Sequence, residues 1–487
     1  MASDNTTLIT AQRQAGTTRK ASPVLALAIV WSRSEPHRVG EIAVPDDRDA
    51  DSTLTFGRAS GVDALTLMRQ RPGANLETGP LDAAGISRVQ WRVQPRRAVL
   101  MIDNVGRREL LLNGAIATRV QARLGDLLEI RGELIVLVVA RARELAPQAL
   151  PPALVPRFGE ADEFGLVGES AAAWELRRQL AFAAGRDDHV LLTGASGSGK
   201  ELAARAIHAL SSRGRHPVVA RNAATLPDGI IDAELFGNTR DYPNPGTPER
   251  PGLIGAAHGS TLFLDEIGEV SHALQAHLLR VVDIGEYHRL GEARARKADL
   301  RIVAATNRDP AALKHDLLAR LRLRVRLPGL DKRREDIPLI ARHLLRTLAA
   351  RDRLVAERAF PDGDLTAEPS WTGEVVTGLL TAAYPTNVRE LQTRLWTALA
   401  RSSTGLSVES SAAIVPPVDD TGDAEVADSG EALPAELTAA MVRTALDASG
   451  GNRERAWRAL GLRSRHQLLR LMRRFDIEVG RPPTPPG

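Results

Sequence analysis

The sequence predicts a multidomain chain: an all-β sandwich, then an α/β domain on a parallel sheet with a helical lid, then an all-α helix-turn-helix. Three observations predict it. Short alternating or apolar runs, broken by Gly, Asn and Asp, fill residues 23–142. Strand-length apolar runs then alternate with helical periodicity around a Gly-rich loop. A basic, helix-patterned block follows, with eight Arg and one Glu between Gly451 and Phe475.

A length of 487 residues allows two to four domains. With 43% hydrophobic and 25% charged residues, the composition is that of an ordinary globular protein. No apolar run is long enough for a membrane helix. Val24–Trp31 is only strand length and lacks a small-residue cleavage site, so it does not read as a signal peptide. The chain has no cysteine, which excludes disulfides, thiolate metal sites and a cysteine nucleophile, and a cytoplasmic location fits. Net charge is only +4, so the basic block stands out and suggests nucleic acid.

Taken in order, residues 1–22 are polar and aperiodic, and disorder is expected. In the β-rich part, Val89–Val93, Val99–Asp103, Glu109–Leu112 and Leu134–Val139 are strand candidates. Pro147, Pro151, Pro152 and Pro156 mark a linker over 143–163. The α/β part spans 164–333, with Val190–Thr193, Thr261–Leu264 and Leu300–Ala304 as buried-strand candidates. Helical patterns alone fill 334–402, the expected lid. An acidic linker covers 403–432, the basic helical block 433–480, and a Pro-rich tail 481–487.

The chemistry centres on Gly194-Ala195-Ser196-Gly197-Ser198-Gly199-Lys200, which follows an apolar strand and opens a helical pattern. Strand, Gly-rich loop, Lys and helix together form a P-loop. Its glycines turn backbone N–H groups onto phosphate oxygens, the helix N-terminus adds its dipole, and Lys200 neutralises charge. Glu201 stands where the general motif has Ser or Thr for Mg²⁺. A second strand ends in Asp265-Glu266, as a Walker B motif does: Asp265 to hold Mg²⁺ through water, Glu266 to polarise the attacking water. A third ends in Thr306-Asn307, where a polar pair can sense the γ-phosphate.

These residues resemble the AAA+ domain of bacterial sigma-54-dependent transcription activators. The resemblance covers about Phe164 to Arg401 and includes Leu166-Val167-Gly168-Glu169-Ser170, Glu234-Leu235-Phe236-Gly237 and Leu264-Asp265-Glu266-Ile267-Gly268-Glu269. A P-loop with Glu after Lys is that family's own variant. The resemblance implies ATP and Mg²⁺ as ligands and makes Asn222 a switch residue paired with Glu266. It places Thr306 and Asn307 at sensor I, and Arg389 at sensor II within Tyr384-Pro385-Thr386-Asn387-Val388-Arg389. It also implies a homo-oligomeric, hexameric ring in which Arg320 reaches the neighbouring subunit's ATP. The family's first finger is here Lys314, which cannot make a bidentate fork. The family's sigma-contacting hexapeptide GAFTGA is replaced by Asp241-Tyr242-Pro243-Asn244-Pro245-Gly246.

The basic block resembles a Fis-type helix-turn-helix. Leu437–Ala448 reads as one helix, Arg453–Leu460 as a second, and a third runs from the cap Ser464. Arg463, Ser464, Arg465, His466, Gln467, Arg470 and Arg473 are the candidate DNA contacts. The β-rich part resembles forkhead-associated (FHA) domains, in which Arg58, Ser87 and Arg88 match the phosphothreonine-binding set. Gln90 stands for the usual His, and Arg108 for the Asn that holds the peptide backbone. A docking sandwich without peptide binding is the alternative.

Together these imply an ATP-hydrolysing, DNA-binding transcription regulator of the sigma-54 activator type with FHA-like signal input. Its partners would be upstream DNA, sigma-54 RNA polymerase and a phosphothreonine protein. The alternative is a nucleotide-gated DNA-binding regulator that no longer contacts sigma-54, because the hexapeptide is gone.

Overall fold

The computed structural model describes residues 23–45, 53–225, 231–401 and 439–448, with Leu406, Leu460, Met472 and Phe475. The chain divides into two compact units, Met1–Ile414 and Val415–Gly487.

The first unit begins with twelve strands: β1 (Val24–Ser32), β2 (Ile42–Ala43), β3 (Leu54–Phe56), β4 (Leu67–Arg71), β5 (Ala74–Glu77), β6 (Trp91–Pro95), β7 (Leu100–Asn104), β8 (Leu110–Leu112), β9 (Ala115–Ala117), β10 (Arg119–Ala122), β11 (Leu127–Ile130) and β12 (Leu134–Arg141). They form an eight-stranded sheet, β5-β4-β2-β1-β12-β11-β8-β9, and a four-stranded sheet, β10-β7-β6-β3. In β6 and β10 buried and exposed side chains alternate, the period of a strand with one face on a core. β1 and β12 differ, being buried along nearly their whole length. They pair antiparallel from Val24↔Arg141 to Ser32↔Leu134 and have protein on both faces. Phe56 stacks on Trp91 between β3 and β6, ring centroids 5.1 Å apart.

The expected strand Val89–Val93 starts two residues later, at Trp91. The cause is Gln90, whose buried amide is spent on the β7–β8 loop, donating to Asn104 Oδ1 (2.8 Å) and Arg108 O (2.9 Å). In the Pro-rich segment 143–163, Leu154 is fully buried and Pro156 O accepts from Arg71 (2.8 Å).

The α/β part comprises α1 (Ala171–Ala184), β13 (Val190–Thr193), α2 (Lys200–Ala209), β14 (Val219–Asn222), α3 (Ile231–Phe236), α4 (Gly252–Ala256), β15 (Thr261–Asp265), α5 (His272–Ile284), β16 (Glu286–Tyr287), β17 (Arg296–Lys297), β18 (Arg301–Thr306), α6 (His315–Arg320) and β19 (Leu323–Arg326). Five strands form one parallel sheet in the order β14-β15-β18-β13-β19. Residues of β13, β15 and β18 are the central ones and the most buried, which is why they read as continuous apolar runs. Edge strands β14 and β19 carry arginines and make no such run.

Four helices make the lid: α7 (Ile337–Ala349), α8 (Arg353–Ala359), α9 (Gly373–Thr381) and α10 (Val388–Arg401). Their apolar faces join the β-rich core in one cluster rather than forming a separate one. At the junction, a side chain at Gly373 would stand 3.1 Å from Ile135 and 3.2 Å from Trp31. The polar centre of the junction is Asp336. Its carboxylate accepts from the backbone N of Glu169 (2.8 Å) and Ser170 (2.9 Å) and from Ser170 Oγ (2.5 Å). Beside it, Arg334 donates to Gly125 O in the β-rich part (3.1 Å) and to Leu380 O in the lid (3.0 Å). Buried Arg141 donates to Glu169 O (3.2 Å) and faces Glu335 at 3.7 Å.

In the second unit, α11 (Ala439–Ala448) agrees with the helix expected over Leu437–Ala448. Val442 and Leu446, four apart on one face, are buried.

Removing the Asp336 carboxylate strands buried donors at the start of α1. Asp336→Ala is expected to lower stability by about 3 kcal/mol in urea unfolding of the full chain. Asp336→Asn, which keeps an acceptor oxygen, is expected to lose less.

Candidate functional site

The P-loop lies between β13 and α2, at the carboxyl edge of the parallel sheet, where such sheets hold ligands. Gly197 and Gly199 both have left-handed backbone, at φ +69° and +99°. Gly199 thereby becomes the N-cap of α2. Lys200 is buried and donates to Gly194 O at 3.1 Å. Its Nζ is 3.9 Å from Glu266 Oε1. Asp265 ends β15, and Glu266 turns the chain there with φ +52°, a strained conformation for a residue with a side chain. Glu266 Oε2 also accepts from Asn307 N (3.3 Å), so the ends of β15 and β18 meet at this carboxylate.

The cavity above has a volume of about 420 Å³. Ser196 to Glu201, Asp265, Glu266 and Arg389 line it. Its other walls are Leu166, Val167, Ile340, Leu344 and Val388, with His343 and Arg333. One side therefore carries the P-loop with Lys200, Arg389 and the carboxylates of Asp265 and Glu266, and the other is mainly apolar, a mix that suits a ligand with a charged and an apolar half. Burial depresses the His343 imidazole below its usual range, which favours its neutral form.

The lid is pinned directly onto the P-loop. Arg389 Nη1 donates to Ser196 Oγ (2.7 Å), and Val388 N to Gly197 O (3.2 Å). Buried Asn387 carries the joint: its Nδ2 donates to Ser196 O (3.0 Å), and its Oδ1 accepts from Leu330 N (2.9 Å). The sequence placed Asn387 inside a motif but assigned it no role. Its signal was a polar residue one position before a helix.

Other expected residues fall as follows. Thr306 is buried and caps Arg308 N (3.1 Å), while Gly194 N bonds Thr306 O (3.3 Å). Asn307 stands exposed at the same strand end. Glu201 points outward to Arg205 (2.5 Å). Asn222 stands beside Asp265 in register but does not pair with Glu266. Its Oδ1 accepts from Ala224 N (2.9 Å) instead, while Lys200 and Asn307 N occupy Glu266. The Asn222 amide is instead held by a local Asx bond to the backbone two residues on. Arg320 forms a two-pronged bond with Asp283 on α5 (3.0 and 3.2 Å). Lys314 begins α6, its N donating to Gln275 (2.8 Å).

The loop Asp241–Gly246 is a closed turn. Gly246 N donates to Asp241 Oδ1 and Asp241 N to Thr247 O, both at 2.8 Å. Asn238, buried beneath it, donates to Pro248 O (2.9 Å), and Thr239 N to Leu290 O (3.0 Å). The Tyr242 ring sits against Gly291, where a Cβ would be 2.7 Å from it.

On the β-rich part, Arg58, Ser87 and Arg88 do come together. Arg58 N bonds Ser87 O (3.2 Å), Ala59 N bonds Arg88 O (2.8 Å), and Ser87 Oγ accepts from Arg107 N (2.9 Å). Both Arg58 and Arg88 are exposed. Arg108 is not free to hold a peptide. It is tied to Glu133 (2.7 Å), Gly85 O (2.8 Å) and Arg131 O (3.1 Å). The DNA-contact candidates Arg463, Ser464, Arg465, His466, Gln467, Arg470 and Arg473 lie outside the described residues.

Residues 166–330 match the family model for the sigma-54 interaction domain. The transcriptional regulatory protein ZraR of Salmonella typhimurium is 36% identical over 330 residues, covering 64% of this chain and 69% of ZraR. The DNA-binding transcriptional regulator NtrC of Azospirillum brasilense is 35% identical over 382 residues, 71% of this chain and 76% of NtrC. The chain belongs to the sigma-54-dependent transcription activators. Among solved structures, NtrX of Brucella abortus with ADP is 28% identical, covers 65% of this chain and 70% of NtrX, and has a TM-score of 0.43. The sigma-54 interaction match ends at Leu330, before Asn387 and Arg389 close the cavity.

A Cβ at Gly197 would lie 2.1 Å from Thr386 O. Gly197→Ala is therefore expected to push the lid turn off the P-loop and weaken ADP binding at least about tenfold in calorimetry. Unchanged affinity would show that the lid joint is irrelevant to nucleotide.

Proposed function

We propose that this activator binds and hydrolyses ATP in an oligomeric ring and regulates transcription from DNA held by its helix-turn-helix. The observation that carries the reading is the convergence of Lys200, Asp265, Glu266 and Arg389 on one cavity with an apolar end. In this reading the P-loop N–H groups and Lys200 hold the β- and γ-phosphates, and Arg389 adds charge from the lid. Lys200 then exchanges its contact with Glu266 for phosphate. The freed Glu266 carboxylate accepts a proton from the attacking water, oriented through Asn307. Asn222, in register with Asp265 on the neighbouring strand, takes the switch role at Glu266 once Lys200 has left it. Arg320 exchanges Asp283 for the γ-phosphate of the neighbouring subunit.

Among the described residues no cluster of three metal-ligating side chains exists. Asp265, beside the P-loop, fits Mg²⁺ if the nucleotide's own phosphates supply further oxygens. Bound there, the ion would neutralise developing phosphate charge. In the same reading Arg58, Ser87 and Arg88 form the anion platform for a phosphothreonine peptide at the loop edge of the FHA-like sandwich. The set Arg463 to Arg473 supplies the DNA contacts.

The loop Asp241–Gly246 favours a second reading for the output step. Its closed turn replaces the family hexapeptide, so the ring would act as a nucleotide-gated DNA-binding regulator without remodelling sigma-54 polymerase. Open-complex formation with that polymerase in vitro separates the two: a positive result removes the second reading.

Glu266→Gln is expected to abolish ATP turnover while leaving ATP binding intact, measured by phosphate release and calorimetry. Unaltered turnover would contradict the hydrolytic reading. Arg320→Ala is expected to cut turnover about 10³-fold, the scale of an arginine finger, with little change in ATP affinity.

A further inference from the structure

Arg333 is only 6% exposed, yet its Nε has no hydrogen-bond partner, and among the described residues nothing bonds the rest of its guanidinium. It lines the nucleotide cavity. A buried charge without an acceptor is unfavourable and is rarely kept without a use. Its neighbours sharpen the contrast. Arg334 is spent on Gly125 O and Leu380 O, Glu335 on Arg141, and Asp336 on the start of α1. Burial disfavours the Arg333 charge, opposed by Asp336 and Glu335 and reinforced by Arg177. None of these groups makes a hydrogen bond to it.

Its place in the cavity narrows the ligand. Lys200 and Arg389 already serve the phosphate end. Arg333 instead heads the segment that runs into α7, whose Ile340 and Leu344 form the apolar wall. We propose that Arg333 is a nucleotide-binding residue that donates to an acceptor on the nucleoside half, a base ring nitrogen or a ribose oxygen. The proposal rests on the nucleotide reading above and adds a binding residue to it. It also gives the ligand a hold on the lid segment that is independent of the phosphates.

The test uses the full-length wild type with Arg333→Met and Arg333→Lys. ADP and tripolyphosphate are titrated by calorimetry, and the ligand-free proteins are melted. Arg333→Met keeps the bulk and removes the donors. It is expected to weaken ADP about tenfold or more, leave tripolyphosphate within about twofold, and leave the ligand-free melting temperature unchanged or raised. Arg333→Lys, with its charge but no fork, is expected to fall between. Equal ADP affinity in wild type and Arg333→Met overturns the proposal. So does an equal loss for tripolyphosphate, or a lowered ligand-free melting temperature in both variants, which would make the residue structural. A wild type that binds neither ADP nor tripolyphosphate would instead sink the nucleotide reading itself.

Discussion

The side chain of Asn387 joins three pieces of chain that are far apart in sequence. Its amide nitrogen holds the P-loop at Ser196 O, and its oxygen holds the backbone at Leu330, where the sheet domain gives way to the lid. Its own backbone is left-handed at φ +49°, a conformation Asn tolerates better than most residues. One amide thus fixes the P-loop, the hinge and the first turn of α10 relative to one another. Arg389, two residues on, is aimed into the cavity because Asn387 sets where its helix begins. The bond to Leu330 N is buried and the one to Ser196 O part-buried, so losing the first leaves an unsatisfied buried backbone donor as well as a missing contact.

Asp336 does the corresponding work on the opposite side of the lid. It satisfies the free N–H groups at the start of α1 and stands next to Arg334 and Glu335, which engage the β-rich part. The four residues Arg333 to Asp336 therefore face, in turn, the nucleotide cavity, the sandwich and lid, the sandwich strand β12, and the α/β domain. The β-rich part is packed on the lid through a shared apolar core. The Arg58 and Ser87–Arg88 segments of the β-rich part are cross-bonded through their backbones.

Much of this was legible in the sequence, for physical reasons. Buried central strands must be apolar on both faces, so Val190–Thr193 was found residue for residue, and β15 and β18 to within two residues. The P-loop was readable because its glycines and lysine cannot be replaced without losing the anion cradle. Edge strands β14 and β19 were not, because arginines interrupt their apolar pattern. The β6 boundary was missed because Gln90 turns inward to hold a loop, and a side-chain hydrogen bond leaves no periodic trace. Arg333 and Asn387 escaped for a similar reason: their importance comes from burial without a nearby sequence partner. The Asn222–Glu266 pairing was inferred from family resemblance, and the structure gives each residue a different partner.

The account stands on a nucleotide pocket completed only when the lid is locked to the P-loop, and Asn387 is that lock. The most direct measurement is ADP affinity by calorimetry for the full chain and its Asn387→Ala variant, with circular dichroism to show that both are folded. The account predicts binding at least about tenfold weaker in the variant, with the helical signal retained. Equal affinity in a folded Asn387→Ala protein would contradict it.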